Sequence, residues 1–331
     1  MGDLAGAPLF GLPLPELWFA LVFFVLGMFL FLDGFDFGIG MLFATREDPE
    51  EKEQLLAAIG PFWDGNEVWL VVFGGALFAA FPSVYANLFS RYYLLMFAIL
   101  AALGLRGLAP EMYEEREDEQ WRRYWGWSFV VGSALTPFFL GMFAINWLTG
   151  VAGIVSLPGV LGGLAVVALT ITDGAAFLGL KTRGSLRDDA SGYGVRAAVA
   201  YLLLVAATLA SIYVTVPTLQ SALLSPTVIL LVLATVALTG GYVVATRRRQ
   251  YYGAFGTVAG LVAGLVAVLA TAMFPAVDRA AGLTVSEAIV STLPLNLMTI
   301  MMALLLPIVL SYFGVLYSVF SGPIETGETY G

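Results

Sequence analysis

The chain alternates long apolar runs with short polar breaks. About nine of the runs are long enough to cross a hydrocarbon layer of roughly 30 Å. They fall near residues 16–43, 57–82, 88–110, 127–148, 159–181, 195–217, 226–245, 254–275 and 294–319. A bilayer interior offers backbone groups no water, so each run is predicted as a helix, whose hydrogen bonds close within the segment. The breaks are too short to hold a soluble domain. The first run is too long for a secretory signal, its N-terminal flank is acidic, and no small-residue cleavage pattern follows it. It is therefore expected to remain as a span.

Composition supports this pattern. Hydrophobic residues make up 60% of the 331 and charged residues 12%, with a mean hydropathy of +0.89. A soluble domain is about a quarter charged, so most of this chain has lipid as its solvent. The charges that remain are sorted by loop. Numbered alternately from an outer N-terminus, the inner loops hold Arg46, Lys52, Arg116, Arg122, Arg123, Lys181, Arg183, Arg187 and Arg247 to Arg249, and Arg196 starts the sixth run from the inner side. The outer loops hold only Arg91 and Arg279. The positive-inside rule then places the N-terminus outside and the C-terminus in the cytoplasm of a prokaryotic cell. One span more or fewer in the middle would scramble this separation.

A faint repeat joins the two halves. Leu32-Asp33-Gly34-Phe35 and Thr172-Asp173-Gly174-Ala175 both lie near the inner ends of runs four spans apart, so both helices point the same way. The expected fold is an all-α polytopic membrane protein with two four-helix bundles in parallel repeat and one peripheral helix. The corresponding units are 1–150, 151–275, and 276–331 for the ninth helix with a cytoplasmic tail.

Ionisable groups inside a bilayer are expensive and call for a partner or a task. The first run carries Asp33 and Asp36, three residues apart and so on neighbouring positions of one helix face. The second carries Asp64, Asn66 and Glu67, and the third Arg106. At a rise of 1.5 Å per residue, Asp36, Asp64 and Arg106 all lie roughly 6–10 Å from the inner ends of their helices. A hydrated cluster opening inward would satisfy them, either as a proton entry route or as a static ion-pair network pinning three helices. Gly34 and Gly38, four residues apart, mark a place where another helix can come close.

Absent residues exclude other chemistry. With no cysteine there is no disulfide, Fe–S cluster or thiolate zinc site. With no histidine the chain lacks the commonest haem and metal ligand, so it is expected to bind neither haem nor metal by itself. The ten methionines are read as packing residues, and Trp63 and Trp69 as interfacial or packing aromatics. The net charge of -9, with Lys52 and Lys181 as the only lysines, suggests a salt-loving prokaryote. Nothing points to nucleic acid.

The polar stretches also carry a family likeness. Leu32-Asp33-Gly34-Phe35-Asp36-Phe37-Gly38-Ile39-Gly40-Met41 resembles the opening-helix motif of cytochrome bd oxidase subunit II. Pro61-Phe62-Trp63-Asp64-Gly65-Asn66-Glu67-Val68-Trp69-Leu70 looks like its second signature, continued through Pro82 and Tyr85-Ala86. Arg106-Gly107 with Glu111 is similar to the end of the family's third helix, although the residues around Pro110 depart from the usual pattern. Trp121-Arg122 and Trp125 through Ser133 also fit. The likeness is dense over the first 150 residues. Beyond them it rests on Thr172 to Ala175, Met273-Phe274-Pro275, Leu295 to Thr299 and Pro307-Ile308.

The resemblance implies a subunit of a terminal oxidase that oxidises membrane quinol and reduces dioxygen to water. It places the b-type and d-type haems in subunit I, and it gives subunit II the tasks of stabilising that partner and lending acidic residues to a proton path. By motif position Asp36, Asp64 and Arg106 match that path, with Asp33, Glu67 and Glu111 beside them. In some members a quinone sits structurally within subunit II, and a small accessory subunit joins; the sequence decides neither. Two rival readings stay open on the residues alone. One is a secondary transporter using the intramembrane carboxylates, and the other a purely structural membrane subunit.

Overall fold

The computed structural model describes residues 2–324, and each apolar run contains a helix. The tail expected after the ninth span, residues 325–331, lies outside the described residues. A short helix α1 (Gly2–Gly6) leads to α2 (Leu14–Leu42), α3 (Pro49–Ile59), α4 (Trp63–Ala80), α5 (Pro82–Arg91) and α6 (Tyr93–Glu114). The chain continues with α7 (Glu119–Thr149), α8 (Leu157–Lys181), α9 (Gly184–Thr215), α10 (Gln220–Leu223), α11 (Pro226–Arg247) and α12 (Tyr251–Met273). Two short antiparallel strands, β1 (Ala276–Asp278) and β2 (Leu283–Thr284), then precede α13 (Val285–Ala288) and α14 (Thr292–Val319). The protein is an all-α polytopic membrane protein.

Among the described residues eight helices are long and apolar enough to cross a membrane. The run 57–82 is the instructive exception. Its first residues belong to the amphipathic helix α3, and the rest form α4, 18 residues long. That length gives about 27 Å, close to a hydrocarbon core, but Asp64, Asn66 and Glu67 make its first turns polar. The third run is also divided: a short helix, α5, folds at the bundle end before α6 begins.

Helix starts follow from capping residues in the breaks. Asp48 accepts from the Glu50 N–H at 2.9 Å, Asp118 from Trp121 at 2.9 Å, Ser156 from Gly159 at 3.0 Å and Ser225 from Val228 at 3.4 Å. Each satisfies a donor that the first helical turn leaves open.

Helix α2 is the central element and packs against α4, α7, α8 and α12. It crosses α8 with backbones in contact. A Cβ on Gly38 would lie 2.0 Å from the Thr170 carbonyl oxygen, and one on Gly174 2.6 Å from the Gly38 carbonyl carbon. Only glycine permits this approach. Aromatic rings fill the space beside it, with Phe35 stacked on Phe177 at 4.0 Å and Phe62 on Tyr317 at 4.6 Å. Helix α14 lies at the periphery, its apolar length almost wholly exposed.

Polar contacts between loops gather at the two ends of the bundle. At one end Arg46 pairs with Asp189 at 2.9 Å, Arg122 with Glu53 at 3.4 Å and Arg249 with Asp188 at 3.3 Å. Lys181 donates there to the Phe320 carbonyl. At the other end Arg91 pairs with Asp278 at 3.0 Å, Trp147 Nε1 donates to the Val277 carbonyl at 2.7 Å, and Asn296 donates to the carbonyls of Leu4 and Ala7. The basic loops thus share one end, and Arg91 and Arg279 lie at the other.

Candidate functional site: a buried arginine among carboxylates

Arg106 sits in the second half of α6 with 1% of its surface exposed. Its planar fork carries a fixed positive charge and five donors, which must all be answered within the bundle. Nη2 lies 2.9 Å from Asp33 Oδ1 and 3.5 Å from Asp36 Oδ2, both fully buried on α2. Nη1 lies 3.4 Å from Glu67 Oε2 on α4, a side chain still 31% exposed. The Phe37 and Trp63 ring centroids lie 5.0 and 5.7 Å from the guanidinium carbon, within the range of a cation–π contact.

The local sequence explains how α6 brings Arg106 in. A Cβ on Gly132 would lie 2.6 Å from the Arg106 backbone nitrogen, so the glycine of α7 lets the two helices close on each other there. Pro110, four residues after Arg106 inside the same helix, has no N–H to return to the Arg106 carbonyl. The departure from the expected pattern at Pro110 therefore removes one backbone hydrogen bond from α6 next to the site.

Asp36 is oriented by hydrogen bonds from behind. Asn66 Nδ2 donates to Asp36 Oδ2 at 2.9 Å, and Tyr317 OH donates to Asn66 Oδ1 at 2.9 Å. Helices α2, α4, α6 and α14 thus all contribute to one polar site. Asp36 is about 9 Å, and Glu67 about 6 Å, from the helix ends nearest the basic loops.

Not every candidate joins this set. Asp33, Asp36, Glu67 and Arg106 converge. Asp64, three residues before Glu67, is exposed, and so is Glu111 beyond Arg106. Neither makes an ion pair with Arg106 among the described contacts. Tyr317 was not legible beforehand, because it comes from the last helix and meets Asn66 only through the fold. Asn66 stood in the second polar stretch, and its amide chemistry could have marked it as the residue that orients a carboxylate.

No group of three or more His, Cys, Asp or Glu among the described residues is placed to hold a metal ion. What the site can do is hold, share and pass protons. Carboxyl groups outnumber the single cation, they touch it from two helices, and Glu67 brings the set to the surface.

Comparison with known proteins identifies the family. The model of the cytochrome bd terminal oxidase subunit II family matches residues 14–320, from the start of α2 into the end of α14. The chain belongs to that family. It is 38% identical over 192 residues to the cytochrome bd ubiquinol oxidase subunit 2 of Bacillus subtilis, covering 54% of this chain and 56% of that one. Against the cytochrome bd-I ubiquinol oxidase subunit 2 of Escherichia coli it is 37% identical over 188 residues, 51% and 49% of the two chains. The chain spans about half the length of the curated relatives it matches. Its fold is similar to a chain in the structure of bd oxidase from Geobacillus thermodenitrificans, with a TM-score of 0.79 at 16% identity over 93% of this chain and 99% of that one. The match to the bd oxidase subunit II family takes in the whole Arg106 site, including Tyr317.

Proposed function

We propose that the chain serves as the haem-free subunit II of a bd-type terminal oxidase, in a complex that oxidises membrane quinol and reduces dioxygen to water. Its partner is a haem-bearing subunit I, and its own contributions are to support that partner and to carry protons from the cytoplasm. The observation that carries this reading is the Arg106 site: buried carboxyls around one guanidinium, reaching the surface through Glu67. Asp64, exposed one turn before Glu67, is the natural group to receive protons from outside the bundle, and Glu111, exposed beyond Arg106 on α6, is a second group that could receive them. The haems belong to the partner because this chain has neither histidine nor cysteine to ligate iron. Family membership speaks against the secondary transporter.

The basic end of the bundle faces the cytoplasm in this reading, which the positive-inside rule supports. A cysteine placed among Arg247, Arg248 and Arg249 is then labelled only from the inner side; labelling from outside reverses the orientation. The function itself is tested by purifying the assembly through a tag on this chain. Haem b and d bands with quinol-dependent oxygen consumption are expected to travel with it. A colourless chain without a membrane partner is the opposing result.

A further inference from the structure

The site just described leaves one buried acid unused. Asp173 lies in the second half of α8 and is fully buried. Neither of its carboxyl oxygens has a protein hydrogen-bond donor among the described residues, and no ion pair reaches it. It is held against α2: a Cβ on Gly34 would lie 3.0 Å from Asp173 Oδ2. Gly34 is thus the residue that admits the carboxyl, next to Asp33 and within a turn of Asp36. The charged neighbour that acts on Asp173 is Asp36, another acid. The other titratable groups around it are Tyr242 on α11 and Tyr317 on α14, and Asp33 adjoins Gly34 on α2. None of them carries a positive charge.

The charge count around the contact between α2 and α8 is then lopsided. Three carboxyls, Asp33, Asp36 and Asp173, are fully buried, with one buried guanidinium, Arg106. If all three were ionised, two negative charges would stand in a low-dielectric interior without a countercharge, which costs several kcal/mol per ion. Protons are the cheapest remedy. Arg106 answers the charge on the Asp33–Asp36 side of α2, which leaves Asp173 as the carboxyl with most to gain from a proton. Asp36 also has an oxygen, Oδ1, that no donor among the described residues occupies, while its Oδ2 is held by Asn66.

We infer that Asp173 is a proton-holding residue of the buried site, which exchanges its proton with Asp36 across the contact between α2 and α8. In the step, the O–H bond at Asp173 breaks as an O–H bond forms at Asp36 Oδ1, directly or through one water. One negative charge passes to Asp173, and the next proton entering by Glu67 and Asp36 restores it. No electron moves and no co-reactant is needed. The inference deepens the proton-path reading above and rests on it.

The test uses the assembled oxidase. Infrared spectra of the wild-type complex with isotopically labelled aspartate should show a protonated aspartic acid carbonyl band that shifts with the label. In Asp173→Asn, which keeps shape and removes the exchangeable proton, that band should lose the part Asp173 contributes, the remainder belonging to the Asp33–Asp36 side. Quinol-dependent oxygen consumption should fall roughly tenfold or more at normal haem content. A wild-type complex without any such band overturns the inference, as does a band of unchanged intensity in Asp173→Asn. A reduced band with full turnover also overturns it, leaving Asp173 as a neutral packing group. Should Asp173→Asn not assemble, Asp173→Ser and the wild-type labelling carry the same decision. Asp36→Asn separates the two levels. If it abolishes turnover and Asp173→Asn does not, only this inference fails; if neither has an effect, the proton-path reading fails with it.

Discussion

Helices α2 and α8 carry the same Asp-Gly pair, Asp33-Gly34 and Asp173-Gly174, and they touch, yet the two aspartates stand in different chemistry. Asp33 meets the Arg106 guanidinium at 2.9 Å. Among the described residues Asp173 pairs with no cation; it lies against Gly34, and the charge nearest in effect is another acid, Asp36. The glycines have a common effect on both sides, since they let a neighbouring backbone or carboxyl approach. The neighbour decides what the aspartate becomes. In the first half the third long helix, α6, brings an arginine inward, and in the second half its counterpart in order, α11, brings Tyr242.

The contrast can be broken first at Arg106. Arg106→Gln keeps hydrogen-bonding capacity but removes the charge, leaving Asp33 and Asp36 buried without a counter-ion. A loss of about 3–5 kcal/mol is expected, read as lower thermal stability and lower haem content of the purified assembly. Asp173→Asn breaks no ion pair and should change stability by less than about 1 kcal/mol. An Arg106→Gln complex as stable as wild type would remove the difference between the two halves.

The shared feature is tested at the helix crossing. Gly38→Ala puts a methyl 2.0 Å from the Thr170 oxygen and must push α2 and α8 apart. The cost expected is about 1–3 kcal/mol or more. Gly74→Ala, on α4 with nothing within 4 Å of the added carbon, should be neutral or stabilising by about 0.5–1 kcal/mol. Equal effects of the two in thermal unfolding would mean that the close crossing is not what the glycines provide.

A smaller difference lies at the helix starts. Helix α8 begins with Ser156 capping Gly159, whereas α2 begins after Pro13 with no side-chain cap. Ser156→Ala should therefore cost about 1 kcal/mol, in the same thermal assay, without altering turnover per haem. Lost turnover at normal haem content would tie this distant end to the chemistry.

Much of this was legible in the sequence, for reasons visible in particular residues. Apolar runs had to be helices because lipid leaves no other solution, and the Arg46, Arg122 and Arg249 loops sorted to one end because charge does not cross. Asp36, Asp64 and Arg106 could be grouped because depth follows from residue count along a helix, and the structure keeps Asp36 with Arg106 but not Asp64. Rotation about the helix axis is harder to read. Asp64 and Glu67 lie at neighbouring heights on α4, but Glu67 turns toward Arg106 and Asp64 toward the surface. Tyr317 and the Asp173–Gly34 contact come from helices distant in sequence, and no local spacing announces them. The division of the second run into α3 and α4 was missed because Ala57, Ala58 and Ile59 are apolar and buried without belonging to a span.

The central claim is that the Arg106 site moves protons for oxygen reduction, and Asp36→Asn tests it most directly. The amide keeps the size of the buried group and removes its exchangeable proton, while Asp33 and Glu67 remain to balance Arg106. Quinol-dependent oxygen consumption by the purified complex, normalised to haem, should fall by roughly a hundredfold, with haem bands and thermal stability close to wild type. Full turnover in Asp36→Asn at full haem content would contradict the claim and leave the site as a static ion-pair network.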